Sequence, residues 1–442
     1  MNLFFYLTYY FLISFSIIGF GYLFKNLFIR GEKNNLGYLG IYGIFSLIFI
    51  SYLSNYFISH NLLFNSILWL TGLVIFISFL KKNYSTEKKQ FKFISIIFLF
   101  LSVAIFAAKN HDDFPYYHFA YTHLLTESNL LIGLGQFNHG FKTPSSIFYF
   151  ASFFYLPKVN YQLIHLAPIF FVSFVNYIFL EKIFQFLKKK RELYLVIYSI
   201  LSLAIINIFF YRLAEHGTDR TAQILIFLLI FEIFQLINFK TNERKVDLSN
   251  ILIICTIIIS LKVFYFIYSL IFFVIIIYQK SLLIFFQNIL KNKITYICLI
   301  LISFIILTNI FNSGCLIYPL PASCIFNFAW SLPIEEVEYL NQWYQQWSKA
   351  GATPHFRVEN PELYIQNLNW LSNWIDYYFF NKVSDYLAGL IFLVILFFFF
   401  FQKNFNAQIS KRNFWSIYLI LLILFFEWFL FHPALRYGGY HL

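Results

Sequence analysis

Apolar runs alternate with short polar breaks along most of this chain, and many are long enough to cross a lipid bilayer, for which a helix needs about 20 residues. They lie at 3–24, 36–57, 62–80, 93–108, 163–180, 193–211, 222–236, 294–310, 387–401 and 414–431. Two shorter runs, 251–260 and 263–277, flank Lys262 and predict a helical hairpin. The run 145–156 is too short for a crossing and predicts a re-entrant or interfacial segment. Length alone leaves open whether 145–157 and 251–277 cross fully. The pattern predicts an all-α polytopic membrane protein of about 12 transmembrane helices. The first 24 residues lack a basic n-region and an Ala-x-Ala-like exit, so they are expected to form a retained first helix.

The polar breaks differ in charge. Alternate breaks collect 22 of the 32 Lys and Arg, among them Lys25, Lys81, Lys82, Lys88, Lys89, Lys92, Lys182, Lys188 and Lys189. By the positive-inside rule that side is cytoplasmic. The opposite side carries 12 of the 20 acids and both termini, and it includes two long outward-facing segments, 109–144 and 312–386. The second segment predicts two amphipathic helices. One follows Pro333 and has Val337, Leu340, Trp343, Tyr344 and Trp347 at helical spacing; the other is opened by Asn360, Pro361 and Glu362.

Composition narrows the class. The chain is 60% hydrophobic and 12% charged, with a mean hydropathy of +0.69; soluble domains carry about twice that charged fraction. The net charge of +12 follows membrane topology and does not call for a nucleic-acid partner. The 63 Phe accompany abundant Ile, Lys and Asn, a compositional bias that is no evidence for an aromatic site. Cys255 and Cys298 fall in apolar runs, whereas Cys315 and Cys324 share the outer stretch "SGCLIYPLPASC" and are candidates for a disulfide.

Candidate chemistry gathers on the acidic side. In "NHDDFPYYH", Asp112 and Asp113 are adjacent carboxylates beside His111, Tyr117 and His118. One reading makes Asp113 the cap of a helix entered through Pro115. The other makes the pair a general base or a divalent-metal site, because a cap needs one carboxylate and neighbouring acids repel. In "GLGQFNHGFKTPSS", Gly133, Gly135 and Gly140 permit close backbone approach to a ligand, and His139 with Lys142 can meet a phosphate; otherwise this is a turn-rich loop. The short loop "AEHGTDRTAQ" holds His216, Asp219 and Arg220, either a solvated pair with a helix cap or a guanidinium grip for phosphate. Lys262 is costly at membrane depth and predicts a partner, with Glu232 and Glu427 as candidates. The tail "HPALRYGGYHL" adds His432, Arg436 and His441. Five of the eight Trp lie in the second outer segment, where interfacial anchoring accounts for them. No Walker-type glycine loop and no Cys/His spacing for zinc is present.

An acidic pair just after a membrane helix, followed by outer elements and a basic grip, resembles the GT-C superfamily of membrane glycosyltransferases. The motifs "DFPYYH", "GLGQFNHGFKTPSS", "GTDRTA", "SGCLIYP" with "FAWSLP", and "HPALRYG" are together similar to a poorly characterised group of bacterial envelope proteins near that superfamily. The resemblance implies a GT-C-like fold in the bacterial inner membrane with the active site facing the periplasm. It further implies transfer of a sugar from a polyprenyl-phosphate donor to a glycan, lipid or protein acceptor. Asp113 would be the base, Asp112 its neighbour or a metal ligand, and Arg220, Lys262 and Arg436 the phosphate or carrier contacts. In typical members the acidic motif follows the first helix. Here four runs precede it, so residues 1–92 are expected to be accessory helices, 93–311 the core, 312–386 the large outer segment and 387–442 the last helices and tail. Two other classes remain: a polymerase or ligase of lipid-linked glycans relying on Arg220, Arg436 and His432, and a transporter using Lys262, Glu232 and Glu427 as a relay.

Overall fold

The computed structural model describes residues 3–29, 35–106, 113–189, 193–210, 218–238, 248–279, 281–325, 327–351, 358, 360–401 and 414–442. Among these the fold is all-helical, with one isolated antiparallel bridge between Leu156 and Asn160. The helices are α1 Leu3–Phe28, α2 Leu36–Asn55, α3 Leu62–Leu101, α4 Phe119–Glu127, α5 Ser146–Ser152, α6 Ala167–Lys189, α7 Leu193–Ala204, α8 Asp219–Asn238 and α9 Ser249–Leu261. They continue as α10 Ile271–Gln279, α11 Leu282–Lys291, α12 Lys293–Ser313, α13 Ile334–Lys349, α14 Pro361–Ile365, α15 Leu371–Trp374, α16 Ser384–Phe401 and α17 Trp415–Phe431.

Among the described residues, seven helices are long and apolar enough to cross a membrane, or up to eight if the bent pair Val263–Tyr278 and Leu282–Lys291 forms one span. Large apolar side chains such as Val74, Phe100 and Ile395 stay exposed on them, as expected of a surface whose solvent is lipid. Twelve crossings were expected from the apolar runs. Part of the difference is length: α9 has 13 residues, and α17 and the apolar helical stretch Leu193–Phe209 have 17 each, which span about 20 and 26 Å against a hydrocarbon core of about 30 Å.

The rest lies in α3. Its backbone is helical over 40 residues, yet the run is not straight. The Phe91 ring lies 5.9 Å from Phe76 and 5.5 Å from Phe79. Fifteen and twelve residues of straight helix would separate them by about 22 and 18 Å. Phe15 of α1 meets both Phe76 and Phe98, at 4.9 and 5.8 Å, so α1 lies beside both limbs of a run that doubles back. The two predicted runs at 62–80 and 93–108 are thus two limbs rather than one rod. Close helix approach in this part depends on small residues: a Cβ on Gly21 would stand 1.7 Å from the Leu39 carbonyl oxygen, and one on Gly43 would stand 1.9 Å from that of Ile17.

Polar contacts sort the helix ends into two groups. At one end Asn35 bonds Glu181, Gln90 accepts from the Leu36 amide and Tyr177, Tyr38 and Asn250 reach Glu232, and Asn292 bonds Ser249. At the other end His60 N–H donates to Leu125, Leu130 to Asn55, Gly133 to Phe311 and Leu332 to Ser313, and Trp374 bonds the Pro433 carbonyl. The lysine-rich breaks flank the first group and the acidic breaks the second, the alternation expected from the sequence. Since Ser249 and Asn292 share one end and Lys262 reaches the other, the hairpin around Lys262 forms as expected.

The outer segments match in part. Pro115 opens the turn that leads to α4, and α5 is a seven-residue helix with every residue buried, so the 145–156 run does not present a lipid-facing crossing. The helix after Pro333 is α13, while the one capped by Asn360 has only five residues. Cys315 and Cys324 form a disulfide.

Single cysteines at the exposed positions Asn61 and Glu127 should label from one side of sealed membrane vesicles, and one at Lys88 from the other. Labelling of positions 61 and 127 from opposite faces would mean that α3 crosses once as a rod.

Candidate functional site

Three segments far apart in sequence meet on one carboxylate. Asp219 is the first residue of α8, where the helix dipole favours an anion, and it is 6% exposed. Lys262 ends α9 in an extended conformation, with φ −157° and ψ 116°, so the helix breaks and the side chain turns to Asp219 Oδ1. Arg436 lies in the single turn Leu435–Tyr437 that follows α17, and its Nε and Nη2 donate to Asp219 Oδ2 at 3.1 and 2.9 Å. Buried side chains fix that turn: Gln223 Nε2 donates to the Arg436 carbonyl at 2.6 Å, and the Tyr265 hydroxyl donates to it at 3.1 Å.

Aromatic faces surround the two cations. Lys262 Nζ is 4.6 Å from the Tyr437 ring centroid, and the Arg436 guanidinium carbon is 5.2 Å from Trp347 and 5.4 Å from Tyr437. Such contacts favour a cation while leaving its outward hydrogen-bonding capacity unspent. Two cations on one carboxylate leave a net positive charge, and a second carboxylate lies within its field.

That second carboxylate is Asp113. The Tyr117 hydroxyl donates to its Oδ2 at 3.4 Å, and its charge acts on Lys262, His139, Tyr344 and Tyr437. Asp113 stands at the N-terminus of the turn through Pro115 but makes no side-chain capping bond, so the cap reading is not what its geometry shows. Burial, and then Asp113, push the Tyr117 hydroxyl well above its ordinary range. Burial, and then Lys142, hold the His139 imidazole below its ordinary value, against the pull of Asp113 and Glu336. A neutral His139 faces the Tyr344 hydroxyl at 3.2 Å.

The remaining predicted residues go elsewhere. Lys142 pairs with Glu336. Gly140 admits no Cβ because it would stand 2.0 Å from Tyr117 Cγ, so this glycine seats Tyr117 and not a ligand; Gly135 likewise closes on the Asn312 carbonyl oxygen, at 2.4 Å. His118 packs between Tyr117 and Phe148, and it lines a shallow recess with Thr122 and His165. The Arg220 guanidinium carbon lies 5.8 Å from the Phe210 ring, and its charge acts on Tyr440; the cations on Asp219 are Lys262 and Arg436. Glu232 binds Tyr38 and Asn250 at the opposite end, so the partner expected for Lys262 is neither it nor Glu427 but Asp219. His441 bonds Tyr268. His111, Asp112 and His216 lie outside the described residues. Among the described residues no group of three or more His, Cys, Asp or Glu is placed to hold a metal ion.

Two features were not legible beforehand. Tyr344 and Trp347 carried only the signal of an amphipathic packing face, and Tyr437 carried none. Asp219 was legible as a charged loop residue, but its double engagement follows from contacts 43 and 217 positions away.

Residues 3–442 match the family described as a domain of unknown function, DUF8201. The chain belongs to that family. No curated protein and no solved structure matches it.

Replacing Asp219 by Asn leaves Lys262 and Arg436 facing each other without a counter-charge. Removing one partner of a buried ion pair costs about 3–5 kcal/mol, and the partial exposure of Arg436 moves the expected loss towards the lower figure. Thermal unfolding in detergent should show a lowered midpoint for D219N, partly restored in the D219N/K262M double variant. An unchanged midpoint in D219N would remove the carboxylate from the account of how these segments are held.

Proposed function

We propose that this DUF8201 protein is an inverting membrane glycosyltransferase that takes its sugar from a polyprenyl-phosphate-linked donor. The observation that carries the reading is the convergence of Lys262 and Arg436, from two separate acidic-side segments, on Asp219, with Asp113 of a third segment near enough for its charge to act on Lys262. Inverting transfer needs a base for the acceptor hydroxyl and a cationic place for the departing lipid phosphate. Asp113 takes the acceptor proton as the acceptor oxygen bonds the anomeric carbon. The bond from that carbon to the phosphate oxygen breaks, and its electron pair leaves with the phosphate, which Lys262 and Arg436 receive. Asp219 holds both cations in position when no anion is bound. The acceptor is a glycan, lipid or protein of the cell envelope, and the site faces outward from a bacterial inner membrane.

A polymerase or ligase of lipid-linked glycans is the second reading, favoured by His432 and Arg436 standing against the same Tyr437 ring. The two separate at Asp113. With purified protein, a labelled polyprenyl-linked donor and an envelope acceptor fraction, D113N should lower transfer by about 10²–10⁴-fold, the usual worth of a positioned base, while its unfolding midpoint stays at the wild-type value. Transfer by D113N within a few-fold of wild type would favour the polymerase or ligase.

A further inference from the structure

Two basic groups beside the Asp219 cluster have no part in the transfer step assigned to Asp113, Lys262 and Arg436. Lys349 ends α13 and is 3% exposed, yet among the described residues its ammonium has no carboxylate partner. Nζ donates to the Ile365 carbonyl at 2.8 Å and lies 5.6 Å from the Trp370 ring. A buried ammonium whose neighbours are one carbonyl and one indole is short of negative charge. His432, the residue after α17, stands edge-on to Phe264 and Tyr437 at 4.9 and 5.9 Å; its Nδ1 is enclosed and has no hydrogen-bond partner.

The two groups are linked through a pair of indoles, and the charge of Lys349 acts on the His432 imidazole. The Trp370 ring beside Lys349 is 6.1 Å from Trp374, whose Nε1 donates at 2.7 Å to the carbonyl of Pro433, the neighbour of His432. Burial, then the charges of Lys349 and Lys262, bring the His432 imidazole down to about 4, and burial brings Lys349 down to about 8. Both shifts disfavour the charged form, and an anion beside the pair would oppose them. Tyr437 is the shared wall, with Lys262 4.6 Å and His432 5.9 Å from its ring.

We propose that Lys349 and His432 form a second oxyanion station next to the Lys262 and Arg436 station, and that the two together take the adjacent phosphates of a lipid diphosphate. This rests on the reading of the site as one that receives a departing carrier phosphate, and it narrows the donor to the diphosphate class. One phosphate is served by the guanidinium fork and the Lys262 ammonium. A second phosphate beyond the Tyr437 ring supplies the acceptor oxygens that Lys349 and the Nδ1 of His432 lack, and a monophosphate leaves them lacking.

The test is anion binding by the full chain in detergent, with inorganic pyrophosphate and inorganic phosphate as probes in calorimetric titrations. Wild type should bind pyrophosphate about ten-fold or more tightly than phosphate, the worth of one or two additional charge-assisted hydrogen bonds. Both K349M and H432N should bring the two affinities to within about three-fold without weakening phosphate, again by loss of those bonds. Because K349M also removes the bond to the Ile365 carbonyl, H432N decides the matter if K349M fails to fold. Equal affinities in wild type, no binding of either anion, or a pyrophosphate preference that survives in H432N would overturn the proposal. The outcome is separable from the transferase reading: phosphate binding that K262M abolishes supports the carrier grip even where no pyrophosphate preference exists, and loss of transfer in D113N is measured independently of both.

Discussion

The arrangement at the acidic-side end depends on one carboxylate held between two cations. Asp219 is buried at the start of α8, and the groups that compensate it come from the tip of a hairpin and from the last turn of the chain. A carboxylate in such surroundings is tolerated only when it is paired and hydrogen-bonded, and the same holds for the ammonium and the guanidinium. Each of the three groups therefore needs the other two. The constraint reaches the C-terminal tail, whose carbonyls are claimed by Gln223 and Tyr265 and whose rings form the wall around the cations. An ion cluster of this kind contributes more to which segments meet than to net stability, because desolvation offsets most of the attraction.

The surrounding helices make the cluster possible through backbone economy. In α3 the chain turns back with no long loop between the two limbs, so both lie against α1. The break at Lys262 is used differently. There the helix stops, the peptide extends, and the released side chain reaches across to another helix. In the first outer segment Gly140 brings the backbone against Tyr117, whose hydroxyl reaches Asp113. A ligand-cradling role for these glycines was the natural expectation from their spacing, but the space they provide is filled by the protein's own side chains.

Much of the fold was legible because its solvent imposes a simple rule. Runs of apolar residues mark the helices, and the lysine count of the breaks separates two ends that the hydrogen bonds keep separate. The residues of the site were legible one by one: Asp113, Asp219, Lys262 and Arg436 stand out as charges where charge is costly. Their partnerships were not. Glu232 and Glu427 stood out as partners for Lys262 and Asp219 did not, yet Glu232 is engaged by Tyr38 at the opposite end. Arg220, adjacent to Asp219 in sequence, is directed to Phe210, because successive helix residues point about 100° apart.

The sequence by itself determined that the chain is helical, that its apolar surface requires lipid, and which loops share an end, since hydropathy and charge act locally and can be summed along a chain. Tertiary structure alone decided which carboxylate neutralises which cation, that Tyr117 is seated by Gly140, and that the charge of Lys349 reaches His432. Those are matters of distance between segments up to 217 positions apart, set by the packing of helices whose apolar faces are chemically alike and so carry no local record of their neighbours.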